Sequence, residues 1–198
     1  DSLVAVIEER LKQAPSLPIR ILEIGAGTGG STSLILPRLA PYKAQIEVYD
    51  YSDVSKAFLL HAEKRFTPAA PYLKTRLFDV SQAPAIHSMP LDHYDLAIAT
   101  NVIHATKNIR ESLRNIKAVL HCNGVLLLNE MALSSLYAHM TFGLLEGWWL
   151  TEDEEVRIPG APGLRPEMWR ALLEAEGWRS VNFPAESAHG LGLSLIHI

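Results

Sequence analysis

Two residues with proton-transfer chemistry stand at the ends of apolar runs. His104 lies just beyond Tyr94-Asp95-Leu96-Ala97-Ile98-Ala99-Thr100, and Glu130 closes Leu126-Leu127-Leu128-Asn129-Glu130. An imidazole has an ordinary pKa of about 6.5 and can take up a proton near neutral pH. A carboxylate bonded to its second nitrogen would orient the ring, select the tautomer and stabilise the imidazolium that forms. Such a pair can deprotonate carbon, oxygen or nitrogen, so by itself it does not name the acceptor atom. The remaining histidines are His61, His87, His93, His121, His139, His189 and His197. They show no metal-ligand spacing, and no metal is expected; His139 falls near the expected pocket, and the rest read as surface or hairpin residues.

A second feature is the run Glu23-Ile24-Gly25-Ala26-Gly27-Thr28-Gly29-Gly30 between a strand and a helix. Glycines permit a tight turn and let the backbone approach a ligand, with helix N–H groups aimed at it. Gly25, Gly27 and Gly30 also satisfy G-x-G-x-x-G, so the loop alone leaves its ligand open, and a turn with no ligand is the bland alternative. Acidic residues follow at later strand ends. They are Asp53, with Asp50 as its rival one turn earlier, and Asp79 in Leu77-Phe78-Asp79-Val80. Asp53 also suits a helix N-cap. Thr100 and Asn101 end a further strand beside the same cleft.

The elements that must carry these residues can be read from periodicity. Residues 1–13 predict a helix with Leu3, Ile7 and Leu11 on one face and Pro15 beyond its end. Strands are predicted at 19–24, 46–50, 73–78, 94–100 and 125–129. Helices are predicted at 54–66, with Val54, Phe58, Ala62 and Phe66 aligned, and at 109–120, with Gly124 just past the end. A further helix is expected over 134–145, and another opens at Pro166 and closes at Gly177. Residues 84–90 read as loop or a short helical turn, and 151–165 as an acidic, then Pro/Gly-rich loop. Residues 178–183 and 191–198 predict two strands joined by a short turn. Apolar runs alternating with amphipathic ones give an α/β fold with a parallel sheet, which binds ligands at the carboxyl ends of its strands. The terminal hairpin distinguishes it from an all-parallel dinucleotide sheet.

Composition bounds the remaining classes. The chain has 198 residues, 48% hydrophobic and 20% charged, which fits one domain over 1–198 with a sizeable core and excludes a disordered array. The net charge of −4, with no dense Lys/Arg stripe, argues against a nucleic-acid partner. A single cysteine, Cys122, excludes an internal disulfide and a cysteine-rich zinc site. No apolar run approaches the ~20 residues of a membrane span and no signal peptide opens the chain, so no membrane contact and a cytoplasmic location are expected. The chain opens on Asp1, which reads as a segment cut from something longer.

Glu23, two residues before the first glycine, resembles the acid of the E-x-G-x-G-x-G loop of class I S-adenosylmethionine-dependent methyltransferases. Nearly the whole chain resembles the C-methyltransferase domain of polyketide synthases. The more specific motifs are Asn101-Val102-Ile103-His104-Ala105-Thr106, then Thr141-Phe142-Gly143-Leu144-Leu145-Glu146-Gly147-Trp148-Trp149-Leu150, Ile158-Pro159-Gly160-Ala161-Pro162-Gly163-Leu164 and Trp169. The resemblance implies a three-layer, Rossmann-like class I methyltransferase fold with a mostly parallel seven-stranded sheet and a C-terminal antiparallel hairpin. It implies S-adenosyl-L-methionine as cofactor, with Glu23 helping to hold the sulfonium and Gly25, Ala26, Gly27 and Gly29 cradling the amino-acid portion. Asp53 would accept the ribose hydroxyls, Asp79 beside Val80 would meet the adenine, and Thr100 and Asn101 would face the methionine end.

His104 and Glu130 match the family's His–Glu dyad. The implied reaction is methylation of the α-carbon of a β-ketoacyl thioester on the phosphopantetheine arm of an acyl carrier protein. Further synthase domains would flank the chain in one multifunctional polypeptide. Phe142, Trp148 and Trp149 are expected to wall the acyl chain, with core packing the alternative for either tryptophan, and Glu146 reads as a helix-end charge. Nothing corresponds to the family's N-terminal lid, and residues 194–198 depart from its usual ending. Two other readings stay open, a free-standing small-molecule O- or N-methyltransferase and a non-catalytic ligand-binding or scaffolding domain.

Overall fold

In the computed structural model the alternating segments build one sheet with helices on both faces. The structure describes residues 2–134 and 136–183, together with the backbone of 193–197. Helix α1 (Ser2–Gln13) leads into β1 (Ile19–Ile24), α2 (Gly30–Leu39), β2 (Ile46–Asp53), α3 (Lys56–Phe66) and β3 (Leu73–Leu77). The chain continues through β4 (Tyr94–Thr100), α4 (Ile109–Val119), β5 (Leu120–Met131), α5 (Leu136–Thr141), α6 (Pro166–Ala175) and β6 (Leu193–His197). Strand order is β3-β2-β1-β4-β5-β6. The first five strands run parallel and β6 pairs antiparallel with β5.

Parallel neighbours require crossovers, and the crossovers cover both faces of the sheet. On one face α1, α2 and α3 bury Leu3, Ile7, Leu39, Leu59 and Phe66 against Ile21, Tyr49, Tyr51, Leu96 and Ile98. An ion pair between Arg10 and the buried Asp95, which also accepts from Arg20 N at 2.8 Å, pins α1 to the sheet. On the other face α4 and α6 bury Ile109, Leu113, Ile116, Trp169 and Leu172 against Leu22, Ile24, Ala97, Ala99 and Leu128. The connections from β1 and from β4 leave for opposite faces. The crevice where they part opens at the carboxyl ends of β1 and β4, where open α/β sheets bind ligands.

Several expected boundaries move, each for a local reason. Strand β2 runs three residues past the predicted 46–50, carrying Asp53 into the strand, and Ser55 takes the N-cap position of α3. Strand β5 begins at Leu120, directly after α4. Its register on β4 passes from Tyr94↔Leu120 to Leu96↔Val125, so residues 121–124 bulge out. Gly124 belongs to that bulge rather than to a helix end, since a Cβ there would lie 2.9 Å from His121 O. The helix expected over 134–145 is confined to α5, and short turns at Phe142–Leu144 and Glu146–Trp148 follow.

Among the described residues the sheet has six strands rather than the expected seven. Residues 178–183 form no strand beyond a bridge at Asn182, and Trp178 and Val181 are buried in the core. The turn that would complete the expected hairpin, 184–192, lies outside the described residues. No helix is long and apolar enough to cross a membrane, among the described residues.

Candidate active site

The glycine loop links β1 to α2 and is held by side chains of β2. Gly25, with φ +58, and Gly29, with φ +80, occupy backbone conformations that a side chain resists. Ala26 N donates to Ser52 O at 2.9 Å, and Gly27 N donates to Asp53 Oδ2 at 2.9 Å. Tyr51 OH donates to Gly27 O at 2.7 Å. Burial, with the charges of Glu23 and Asp53, pushes the Tyr51 phenol up to about 12, so it remains a donor. A Cβ at Gly27 would touch only Gly25 O, at 3.9 Å, and one at Gly30 would meet nothing within 4 Å. The loop is therefore fixed from below and open above.

Glu23 is only 2% exposed. Its Oε2 accepts from Thr32 Oγ1 and Tyr49 OH, both at 2.6 Å. Burial raises its pKa, with the two hydroxyls pulling the other way. Through Oε2 the carboxylate thus ties β1 to α2 and β2 at the base of the loop. Asp50, the rival of Asp53, does not reach the strand end. It is buried in mid-strand, with Oδ2 accepting from Arg76 Nε at 2.9 Å and from Tyr94 OH.

Asp53 stands at the end of β2, with Oδ2 on Gly27 N and Oδ1 accepting from Ser55 N at 2.8 Å. Each oxygen keeps a second acceptor position. Asp79, half-buried, closes a turn by accepting from Ser81 N at 3.0 Å and Oγ at 2.6 Å, while Gln82 Nε2 reaches its other oxygen at 2.8 Å. Val80 sends its side chain into the core, and its carbonyl accepts from Asn115 Nδ2 at 2.9 Å. Thr100 is half-buried at the end of β4, and Asn101 is exposed in the left-handed region, φ +53, with N donating to Asn129 O at 2.8 Å.

Beyond Asn101 the chain makes a single turn, Ile103–Ala105, that presents His104 to Glu130. Thr100 pairs in register with Asn129, which brings the two strand ends together. Glu130 is fully buried, yet three donors converge on it. Its Oε1 accepts from Val102 N at 2.9 Å and Ile103 N at 2.6 Å, and its Oε2 lies 2.5 Å from His104 Nδ1. A carboxylate partner assigns the hydrogen to Nδ1 and leaves the lone pair on Nε2. Among the described residues Nε2 has no hydrogen-bond partner, so the basic atom is free.

Trp148 packs edge-on to His104 at 6.1 Å between ring centres, and Phe142 stacks on Trp148 at 6.2 Å. Trp148 Nε1 donates to His139 Nδ1 at 3.3 Å, and Trp149 stacks on His139 at 6.1 Å. Trp148 is buried, whereas Phe142, Leu144, Leu145, Trp149 and Leu150 in the same segment are exposed. The structure therefore brings together the glycine loop, Asp53, Thr100, Asn101, His104, Glu130 and the aromatic segment. Thr32, Tyr49, Tyr51, Asp153 and Arg157 support the site without standing out in the sequence. The two tyrosines alternate on one face of β2, a pattern that core packing also explains; Thr32, Asp153 and Arg157 carry no local signal. No cluster of ligating residues that could hold a metal occurs among the described residues.

Comparison with known proteins places this geometry in a wider set. A family model described as a methyltransferase domain matches residues 22–126. Over 196 residues the chain is 56% identical to part of Polyketide synthase PksM of Bacillus subtilis (strain 168), covering 99% of this chain and 5% of that protein. The chain thus spans a small fraction of that relative. The crystal structure of the DszA carbon methyltransferase superimposes with a TM-score of 0.89 at 32% identity, over 98% of this chain and 51% of that one. The trans-methyltransferase CalH, solved in complex with SAH, gives 0.78 at 32% identity, over 91% of this chain and 51% of that one.

Proposed function

The chain belongs to the methyltransferase domain family, and from that premise we propose that it is the C-methyltransferase core of a polyketide synthase. Its substrate is the α-carbon of a β-ketoacyl thioester carried on the phosphopantetheine arm of an acyl carrier protein, and further synthase domains flank it in the same polypeptide. The observation that carries this reading is the His104–Glu130 contact of 2.5 Å at the strand ends beside the glycine loop. The likeness to DszA and CalH supports methyl transfer to carbon with S-adenosylmethionine as donor.

The residues present fit that cofactor. The loop 25–30 is open above, and Asp53 keeps acceptor capacity at the end of β2 for the ribose hydroxyls. Asp79 stands at the end of β3 for the adenine amino group, and Thr100 and Asn101 at the end of β4 for the methionine portion. Glu23 fixes the loop through Oε2 and offers its other oxygen toward the sulfonium end. When bound, the cofactor supplies an electrophilic methyl group on a sulfonium.

The chain's own task is to produce the carbon nucleophile. A carbon flanked by ketone and thioester carbonyls gives up a proton readily, because the enolate charge spreads over both oxygens. His104 Nε2 takes that proton, and the imidazolium is stabilised by Glu130 across Nδ1. Glu130 also holds Val102 and Ile103, so the base is fixed before the substrate arrives. Phe142, Trp148 and Trp149 offer an apolar wall to the acyl chain.

The test is mass spectrometry of a carrier-bound β-ketoacyl thioester after incubation with S-adenosylmethionine and the intact protein that contains this chain. The expected product gains one methyl group on the α-carbon. A methyl on oxygen, or no gain, would overturn the reading.

A further inference from the structure

We infer that Arg157, locked by Asp153, is a positioning residue for the base, fixing the main chain of the His104 turn from the side opposite Glu130. This rests on the functional reading above. Arg157 is 7% exposed, and all five N–H donors of its guanidinium are engaged. Nε donates to Asp153 Oδ1 at 2.5 Å. Nη1 donates to His104 O at 2.6 Å and Pro162 O at 2.8 Å, and Nη2 donates to Thr106 O at 2.7 Å and Lys107 O at 3.3 Å. Three of the five acceptors are carbonyls of the segment that follows β4, beginning with that of His104 itself.

Asp153 extends the same clamp. Its second oxygen accepts from Ile109 N at 2.7 Å, the first residue of α4. The pair therefore holds the segment from His104 to the start of the helix. Glu130 holds the preceding residues through the N–H groups of Val102 and Ile103. The base residue thus sits between two anchors, one on the N–H side and one on the C=O side.

The chemistry favours a positioning role over a stabilising one. A buried ion pair is weak evidence for stability, since well-packed apolar residues often serve as well. A planar fork that spans four carbonyls in fixed directions is a different matter, and only arginine supplies it. Lysine has three donors and no fork, so it keeps the charge while losing the geometry.

The test compares the parent with Arg157→Lys in the intact protein. A misplacement of about 1 Å can cost about 100-fold in rate, so kcat is expected to fall about 10- to 100-fold. KM for the carrier-bound thioester and calorimetric affinity for S-adenosylhomocysteine should stay near the parent values. The far-downfield proton resonance expected of His104 Nδ1 against Glu130 should shift or vanish in the variant, while circular dichroism reports a retained fold. Ethylguanidinium should partly restore kcat in Arg157→Ala.

A folded lysine variant with parental kcat and an unchanged resonance would overturn the inference. So would a loss of rate that merely tracks the fraction unfolded. If Arg157→Lys does not fold, Asp153→Asn takes its place, because it keeps an acceptor for Ile109 while loosening the guanidinium, and the same two readouts apply. A parent that methylates no thioester would sink the functional reading instead, and the imidazole resonance would still test the clamp.

Discussion

Val102 packs against the main chain of Gly25 so closely that a Cβ on Gly25 would stand 2.6 Å from Val102 Cγ2. The same Val102 is held through its N–H by Glu130 Oε1 at 2.9 Å. The loop read as the cofactor cradle and the dyad read as the base therefore share one wall.

Gly25→Ala should damage both functions at once. The φ of +58 costs a side chain about 1–2 kcal/mol, and the contact with Val102 adds to it. Affinity for S-adenosylhomocysteine and kcat should both fall. Gly30→Ala, which meets nothing within 4 Å at the start of α2, should leave thermal stability equal or higher. Equal melting temperatures and equal affinities for parent and Gly25→Ala would refute the shared wall.

His104→Ala should abolish methyl transfer and leave cofactor affinity largely intact, because no loop contact passes through the ring. Glu130→Gln should behave differently. It sets an amide donor among three converging donors, so stability should drop by about 1–3 kcal/mol along with kcat. Denaturant titration beside single-turnover kinetics separates the two variants. A His104→Ala protein that turns over like the parent ends the assignment of the base.

Glu23 predicts a pH signature. Burial raises its carboxyl above the ordinary value of 4.5. A group whose folded-state pKa is raised contributes stability that is fully present below the unfolded value and is lost as pH rises through the folded one. Glu23→Gln cannot titrate, so the parent's Tm should decline relative to the variant's as pH rises from about 4.5. Parallel Tm curves across that range, followed by circular dichroism, would contradict the buried carboxyl.

Asp53 and Asp50 should separate cleanly. Asp53→Ala removes the acceptor of Gly27 N and should lower affinity for S-adenosylhomocysteine. Asp50→Ala strips the partner from Arg76 and Tyr94 in the sheet, so it should lower stability and leave affinity unchanged in the folded fraction. Calorimetry on both variants decides; a binding loss confined to Asp50→Ala would reverse the assignment.

Asp79→Ala should weaken S-adenosylhomocysteine binding by about tenfold or more, the worth of a charge-assisted hydrogen bond. Unchanged affinity by calorimetry would reject its adenine role.

Much of this protein is legible in its sequence. The boundaries of β1 and β4 follow from apolar runs that must be buried on both faces of a parallel sheet, and α6 from Pro166 and Gly177. Gly25, Gly27 and Gly29 mark their loop because only glycine takes those positive φ values cheaply. His104 and Glu130 stand out by residue type at strand ends. These are local properties, fixed by steric preference and periodicity within a few positions.

Tertiary structure alone decided what each polar group faces. Asp50 looks like a ligand acid in the sequence and is turned inward, because Arg76 and Tyr94 arrive from distant segments to meet it, and Thr32 and Tyr49 meet Glu23 in the same way. Arg157 reaches His104 across 53 positions, and nothing within its own loop announces that partner. A buried polar group must find its complement wherever strand register and loop path deliver one. Pairing over such separations is a property of the assembled sheet and its loops, not of local sequence pattern.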